Sequence, residues 1–145
     1  MRWLGVDPGE ARVGLAICDP DERVAVPLEV VPASAAVPAI RAIVKREAVG
    51  GIVIGLPLLP SGDEGDSAVM ARRMGARLDR ILEVEVVYED ERLTTVAADA
   101  RAREAGGRRR PTDDLAATVL LEQFLEQRRT TASCAARTSV GDETA

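Results

Sequence analysis

Apolar runs and apolar residues at helical spacing alternate along this chain, and the alternation predicts its elements. Short apolar runs separated by turn residues are typical of strands, whereas apolar residues recurring every three or four positions indicate helices. The strands predicted in this way lie at about 2–7, 12–18, 24–31, 52–54 and 84–88. The predicted helices run from about 34 to 49, 66 to 82, 94 or 95 to 105, and 112 to 128. Ser34 is expected to cap the first helix, and Gly50 and Gly51 to end it.

The order of these elements, β-β-β-α-β-α-β-α-α, predicts an α/β fold. Three consecutive strands joined by short turns form an antiparallel meander, and the later strand–helix–strand units are crossovers between parallel strands. We therefore expect a mixed five-stranded sheet with helices on both faces. From 130 to 145 the chain is small, polar and aperiodic. We predict one domain over 1–129 and a disordered C-terminal tail over 130–145.

Three acidic residues from distant segments lie next to predicted strand or helix ends. Asp7 ends the first apolar run, Glu91 follows the last one, and Asp113 opens the last helix. A carboxylate at the end of a buried strand is costly unless a cation compensates it. Ligands of open α/β sheets bind at the carboxyl ends of the strands, so we expect these acids to converge there. Carboxylates suit Mg²⁺ or Mn²⁺, and such ions activate water for phosphodiester cleavage.

The residue composition narrows the chemistry that the chain can perform. It contains no histidine, which excludes histidine general bases, Ser-His-Asp and Cys-His catalysis, and zinc sites with imidazole ligands. Two cysteines do not make a disulfide framework and favour a reducing cytoplasm. No secretory signal is found, and no apolar run approaches the roughly 20 residues that span a bilayer. We expect a soluble, cytoplasmic protein without a membrane partner.

The cations of the chain are almost all arginines, although its net charge is −5. The arginines cluster at 72–77, 101–103, 108–110 and 128–129. Arginine makes bidentate contacts with phosphate, but an arginine cluster is also an ordinary solvated surface. The negative net charge argues against a protein that coats nucleic acid with its whole surface. It does not exclude a local phosphate-binding site.

Four motifs, in order, resemble those of the YqgF (RuvX) family. They are Asp7-Pro8-Gly9 followed by Arg12-Val13-Gly14-Leu15-Ala16, Gly55-Leu56-Pro57 with Gly62 and Gly65, Asp90-Glu91-Arg92-Leu93-Thr94-Thr95, and Thr112-Asp113-Asp114-Leu115-Ala116-Ala117. The family consists of bacterial proteins with a ribonuclease-H-like fold, described as Holliday-junction-resolvase-like and as pre-16S rRNA nucleases. The resemblance covers about 1–128. Thr112 and Asp114 depart from the family pattern, so either Asp113 or Asp114 is the third acid, and the register favours Asp113.

The resemblance implies roles for individual residues. Asp7, Glu91 and Asp113 would be catalytic and would bind one or two Mg²⁺ or Mn²⁺ ions. Their structural alternatives are a turn aspartate, a surface carboxylate beside Arg92, and an acid in the first turn of a helix. Asp90 could take the place of Glu91. The candidate nucleic-acid contacts are Arg12, Arg92, Arg108, Arg109 and Arg110, with salt bridges or solvation as the alternative.

The implied function is metal-dependent nuclease action in maturation of the 5′ end of pre-16S rRNA during ribosome biogenesis. Pre-rRNA and ribosomal particles would be partners of a monomer or homodimer. The alternative substrate is branched DNA, which would suit a symmetric dimer with a broad basic face, and the acidic charge favours RNA. A third hypothesis is a non-catalytic nucleic-acid-binding or transcription-regulating module, which would be expected to lack one of the three acids. An actin-like phosphotransferase would need two such domains.

Overall fold

The computed structural model describes residues 1–90 and 113–143, and in the second segment it describes the side chains of residues 115–131. These residues form a five-stranded sheet with helices on both faces. The strands are β1 (Arg2–Pro8), β2 (Arg12–Cys18), β3 (Ala25–Pro32), β4 (Val49–Leu56) and β5 (Glu85–Asp90). The α-helices are α1 (Ala36–Arg46), α2 (Asp66–Ile81) and α3 (Asp113–Glu143).

The strand order is β3-β2-β1-β4-β5, which confirms the predicted mixed sheet. β2 pairs antiparallel with both β1 and β3, whereas β4 pairs parallel with both β1 and β5. The carboxyl ends of β1, β4 and β5 therefore meet at one edge of the sheet, as expected for an open α/β fold. We call this the carboxyl edge. The helix predicted from Thr94 or Thr95 to about 105 lies outside the described residues.

Alternation along the strands produces two cores, one on each face. On one face, strand residues such as Leu4 and Ile52 pack with Ile40 and Ile43 of α1 and with Leu78 of α2. The opposite core is smaller and joins the sheet to α3. Its buried members are Trp3, Ala16, Cys18, Ala25, Val53, Ala117, Leu121 and Leu125. Each strand of the sheet's centre is thus covered on both sides.

The first helix and the strand after it differ from their predicted bounds. Ser34 lies in a 3-10 turn at Ala33–Ala35 and does not cap α1, which begins only at Ala36. Gly50 and Gly51 do not end the helix, because both lie within β4. A Cβ at Gly51 would collide with the ring of Trp3. Glycine is therefore placed here so that the tryptophan can pack on the strand.

Helix α3 is longer than its sequence pattern predicts. The prediction ended it near Arg128, but its backbone continues as helix to Glu143. The backbone is therefore helical where a disordered tail was predicted from Thr130. Between these positions the chain has no proline, and Ala132, Ala135 and Ala136 are strong helix formers. The division of the chain into 1–129 and 130–145 stays a prediction. No helix within the described residues is long and apolar enough to cross a bilayer.

The guanidinium of Arg128 fastens α3 to the amino-terminal end of β1. Its Nε donates to Oε1 of Glu22 at 2.7 Å, and its Cζ lies 4.9 Å from the centroid of the Trp3 ring. The terminal ammonium of Met1 lies 3.7 Å from Oε2 of Glu22. Burial raises the pKa of Glu22, but the bond and charge of Arg128 and the ammonium outweigh burial. The pKa therefore lies below its ordinary value of 4.5.

We expect Gly51→Ala to destabilise the protein, because its methyl group would displace the buried Trp3. The free energy of unfolding should fall by about 1–3 kcal/mol, as for other overpacked cores. Urea denaturation followed by the fluorescence of this tryptophan, the only one in the chain, measures it. Gly50→Ala is the matched control, since its methyl group would meet only the flexible side chain of Met1. Equal losses in the two variants would contradict the assigned packing.

We expect Glu22→Gln to lower the free energy of unfolding by about 0.5–1 kcal/mol at pH 7. A lowered folded pKa contributes stability above the unfolded pKa, and this is lost as the pH falls through the folded pKa. The deficit of the variant should therefore shrink when thermal denaturation is repeated below pH 4.5. Glu29→Gln, at an exposed carboxylate of β3, is the control. A deficit that is the same at low and neutral pH would contradict the ion pair.

Candidate active site

Asp7 lies at the carboxyl edge, on the face of the sheet that α3 covers. Every second residue of β1 lies on this face, namely Trp3, Gly5 and Asp7. Asp7 is half-buried. The turn that follows needs glycine, because a Cβ at Gly9 would lie 2.5 Å from the carbonyl oxygen of Arg12. The turn returns the chain into β2, where Gly14 pairs with Asp7. The local sequence therefore places a carboxylate where the strand ends.

The direction of α3 places its first turn toward the same edge. The rings of Trp3 and Phe124 are 4.6 Å apart between centroids. Two residues later on β1, a Cβ at Gly5 would lie 3.0 Å from the carbonyl oxygen of Ala117. Helix α3 and strand β1 therefore run in opposite directions. The helix start at Asp113, one turn before Ala117, lies toward the end of β1 that carries Asp7.

The end of β5 reaches the carboxyl edge two strands away from β1. Val6 of β1 is level with Ile54 of β4, and Gly55 of β4 is level with Glu89 of β5. Asp7 and Glu89 therefore lie in one row across the sheet, about 10 Å apart at the usual strand spacing. Only Gly55 lies between them, so β4 contributes no side chain at this level.

Alternation along β5 separates its two terminal carboxylates. Val87 packs in the α3 core and Tyr88 in the opposite one, so Glu89 shares the face of Asp7 and Asp90 does not. This weakens Asp90 as the replacement for Glu91. Glu91 itself lies outside the described residues, directly after the end of β5.

Glu89 is a carboxylate on the same face of the sheet as Asp7, and the sequence analysis did not identify it. Its Oε1 accepts hydrogen bonds from Nε2 of Gln127 at 2.8 Å and from Nε2 of Gln123 at 3.5 Å. Burial raises its pKa; the bond from Gln127 lowers it, and the charge of Asp90 raises it further, with a net rise. The two-residue period of β5 was the signal that could have identified it.

The candidate arginines are divided between described and undescribed residues. Arg12 begins β2 at the carboxyl edge, is exposed, and shares the face of Asp7 because it lies two residues before Gly14. Arg92 and Arg108 to Arg110 lie outside the described residues. The backbone of α3 begins at Asp113, and the choice between Asp113 and Asp114 stays a prediction.

The residues at this edge fit a divalent metal by their donor chemistry. Asp7 offers hard carboxylate oxygens, the kind that Mg²⁺ and Mn²⁺ prefer. Within the described part of the chain, no three acidic or cysteine side chains form a metal-binding group. Two of the three predicted ligands, Glu91 and the side chain of Asp113, are not among the residues searched. The predicted ligand set is thus consistent with the fold and stays a prediction.

Solved structures that share this architecture include a protein bound to a Holliday junction and a Holliday junction resolvase. Thermus thermophilus RuvC, solved in complex with a Holliday junction substrate, has a TM-score of 0.58 and 19% identity, covering 90% of this chain and 97% of that one. The fowlpox virus Holliday junction resolvase has a TM-score of 0.51 and 9% identity, covering 88% and 99%. At such identities the likeness shows the fold alone. The protein has the predicted ribonuclease-H-like fold.

The family model RuvX, described as Holliday junction resolvase, matches residues 1–127. A relative from Anaeromyxobacter sp. (strain Fw109-5) is 42% identical over 135 residues, covering 88% of this chain and 98% of that protein. Another, from Chloroflexus aggregans, is 37% identical over 133 residues, covering 87% and 94%. Both are named "Putative pre-16S rRNA nuclease". The chain belongs to the RuvX family, and the prediction of a nuclease, a hydrolase of ester bonds, is confirmed.

We expect Glu89→Ala to lower the free energy of unfolding by about 0.5–1.5 kcal/mol, because Gln127 loses its hydrogen-bond acceptor. Glu89→Gln should stay within about 0.5 kcal/mol of wild type, since its amide oxygen accepts the same bond. Urea denaturation at pH 7 compares the two variants. Equal destabilisation by alanine and glutamine would show that the bond between β5 and α3 is not the stabilising contact.

Proposed function

We propose that the protein cleaves phosphodiester bonds with one or two Mg²⁺ or Mn²⁺ ions held by Asp7, Glu91 and Asp113. The observation that supports this is the convergence of three chain segments on one edge. β1 ends there with a half-buried carboxylate, β5 ends there directly before Glu91, and α3 starts on that side at Asp113. Carboxylates brought from distant segments to one edge need a cation to offset their repulsion.

When bound, the metal would supply a water molecule activated for attack and would stabilise the departing oxygen. The chain has no histidine, so no imidazole can act as general base. Asp7 would hold the metal at the floor of the site, against the sheet. Arg12, exposed on the same face and edge, would contact a phosphate of the substrate, as would Arg92 and Arg108 to Arg110.

The substrate that we favour is the precursor of 16S rRNA, cleaved in maturation of its 5′ end. The names of the relatives from Anaeromyxobacter and Chloroflexus support this choice. In this role the protein would work in the cytoplasm on pre-rRNA or ribosomal particles, as a monomer or homodimer.

The second candidate is cleavage of branched DNA, which the description of the matching family favours. The two candidates share the same metal site and differ in the nucleic acid that it receives. A direct comparison of substrates therefore distinguishes them without altering the assignment of the ligands.

We expect Asp7→Asn to lower metal-dependent cleavage at least 100-fold, because an amide replaces the charged oxygen that holds the ion. Cleavage is measured on pre-16S rRNA fragments and on four-way DNA junctions, with Mg²⁺, Mn²⁺ or a chelator. Asp21→Asn, at an exposed position in the turn between β2 and β3, is the matched control and should cut as wild type does. Cleavage by Asp7→Asn at the wild-type rate would show that Asp7 does not hold the metal. Cleavage of neither substrate by wild type would favour a non-catalytic binding module.

A further inference from the structure

Charge is unevenly divided in this chain. Helices α1 and α2 cover the face of the sheet opposite α3, and together they carry seven basic and two acidic side chains. Their net charge is +5, whereas that of the whole chain is −5. One helical layer is therefore strongly basic in a protein that is acidic overall.

Two of the seven cations are held by carboxylates. Arg46 donates from Nε to Oε1 of Glu47 at 3.1 Å. Arg72 donates from Nε and Nη2 to the two oxygens of Glu64, and its Cζ lies 5.1 Å from the centroid of the Tyr88 ring. The charges of Arg46 and Arg72 are therefore balanced by neighbouring carboxylates of the same chain.

The other five cations are exposed, and none forms an ion pair with another residue that the structure describes. They are Arg41 and Lys45 on α1, and Arg73, Arg77 and Arg80 on α2. We call these five residues the basic helical face. The two helices that carry them contact each other.

The spacing of these cations makes neighbours of like charge. Arg73 and Arg77 are four residues apart, and so are Arg41 and Lys45, which places each pair side by side on its helix. Asp66 and Asp79, the acids of α2, are not three or four residues from any of the three arginines that this helix contributes to the basic helical face. Each like-charged pair is destabilising, and a bound polyanion would relieve the repulsion.

We infer that the basic helical face binds the phosphate backbone of a nucleic acid, at a distance from the candidate active site. Both helices start at the carboxyl edge, because each returns the chain from the end of one parallel strand to the start of the next. A strand of nucleic acid leaving that edge could follow the helices over the opposite face of the sheet. A second copy of this chain is a poor occupant, because a two-fold contact would oppose arginine to arginine.

This inference rests on the proposed function for the identity of the ligand, and a binding assay separates the two. The host is Asp7→Asn, so that a single-stranded RNA probe is not cut. In it, Arg73→Gln and Arg77→Gln are combined, and the affinity is measured over a series of salt concentrations. Each lost phosphate contact lowers the slope of log affinity against log salt by about 0.7, so we expect a slope smaller by about 1.4.

The matched control combines Arg23→Gln and Arg129→Gln, which remove two exposed arginines beside Glu122 and Glu126 near α3. Its slope should equal that of the host. The melting temperature of the Arg73, Arg77 variant should equal or exceed that of the host, since a like-charged pair is removed. An unchanged slope, or an equal fall in the control, would overturn the inference. Displacement of RNA by polyglutamate at equal charge would also overturn it, by showing a general polyanion surface.

Cleavage and backbone binding can fail independently. If wild-type protein cuts RNA but the slopes of the two double variants agree, the basic helical face has no role in binding and the nuclease proposal stands. If the slope falls as expected but neither substrate is cut, the surface is retained and the catalytic assignment is withdrawn.

Discussion

The packing of α3 against β1 is the contact on which the rest of the structure depends. Trp3 meets Phe124 edge to face, and Ala117 lies directly over Gly5. Because the two elements run in opposite directions and lie in close contact, the start of the helix is held toward the end of the strand. Without this contact nothing would hold the first turn of α3 near the end of β1 that carries Asp7. The candidate site is therefore a consequence of core packing.

The two faces of the sheet differ in the polar and charged residues that they carry. The α3 face carries Asp7, Glu89 and Arg12, polar groups set around a strand end above a core of small residues and one tryptophan. The opposite face is covered by α1 and α2, whose inner surfaces are aliphatic and whose outer surfaces are basic. Such segregation gives a chain with a net charge of −5 one basic surface, which would attract a polyanion.

Particular residues show where interpretation from sequence succeeds and where it fails. The meander and the crossovers followed from turn residues and periodicity, both local signals, and the observed strand order agrees with them. Glycine commonly ends helices, so Gly50 and Gly51 predict the end of a helix from sequence. They lie in β4 instead, since the ring of Trp3 occupies the space a side chain would need. That constraint comes from a residue 48 positions earlier and leaves no local trace.

The sequence by itself determined the mixed sheet, the order of its elements and the acids that stand at their ends, because each depends on neighbours along the chain. It also determined the family, since four motifs in a fixed order can be identified from the sequence without a structure. Only the tertiary structure decided which carboxylate of β5 shares the face of Asp7, which arginines are held by acids and which are exposed. Those outcomes depend on the register between strands and on side chains that meet across the fold, so no local pattern encodes them.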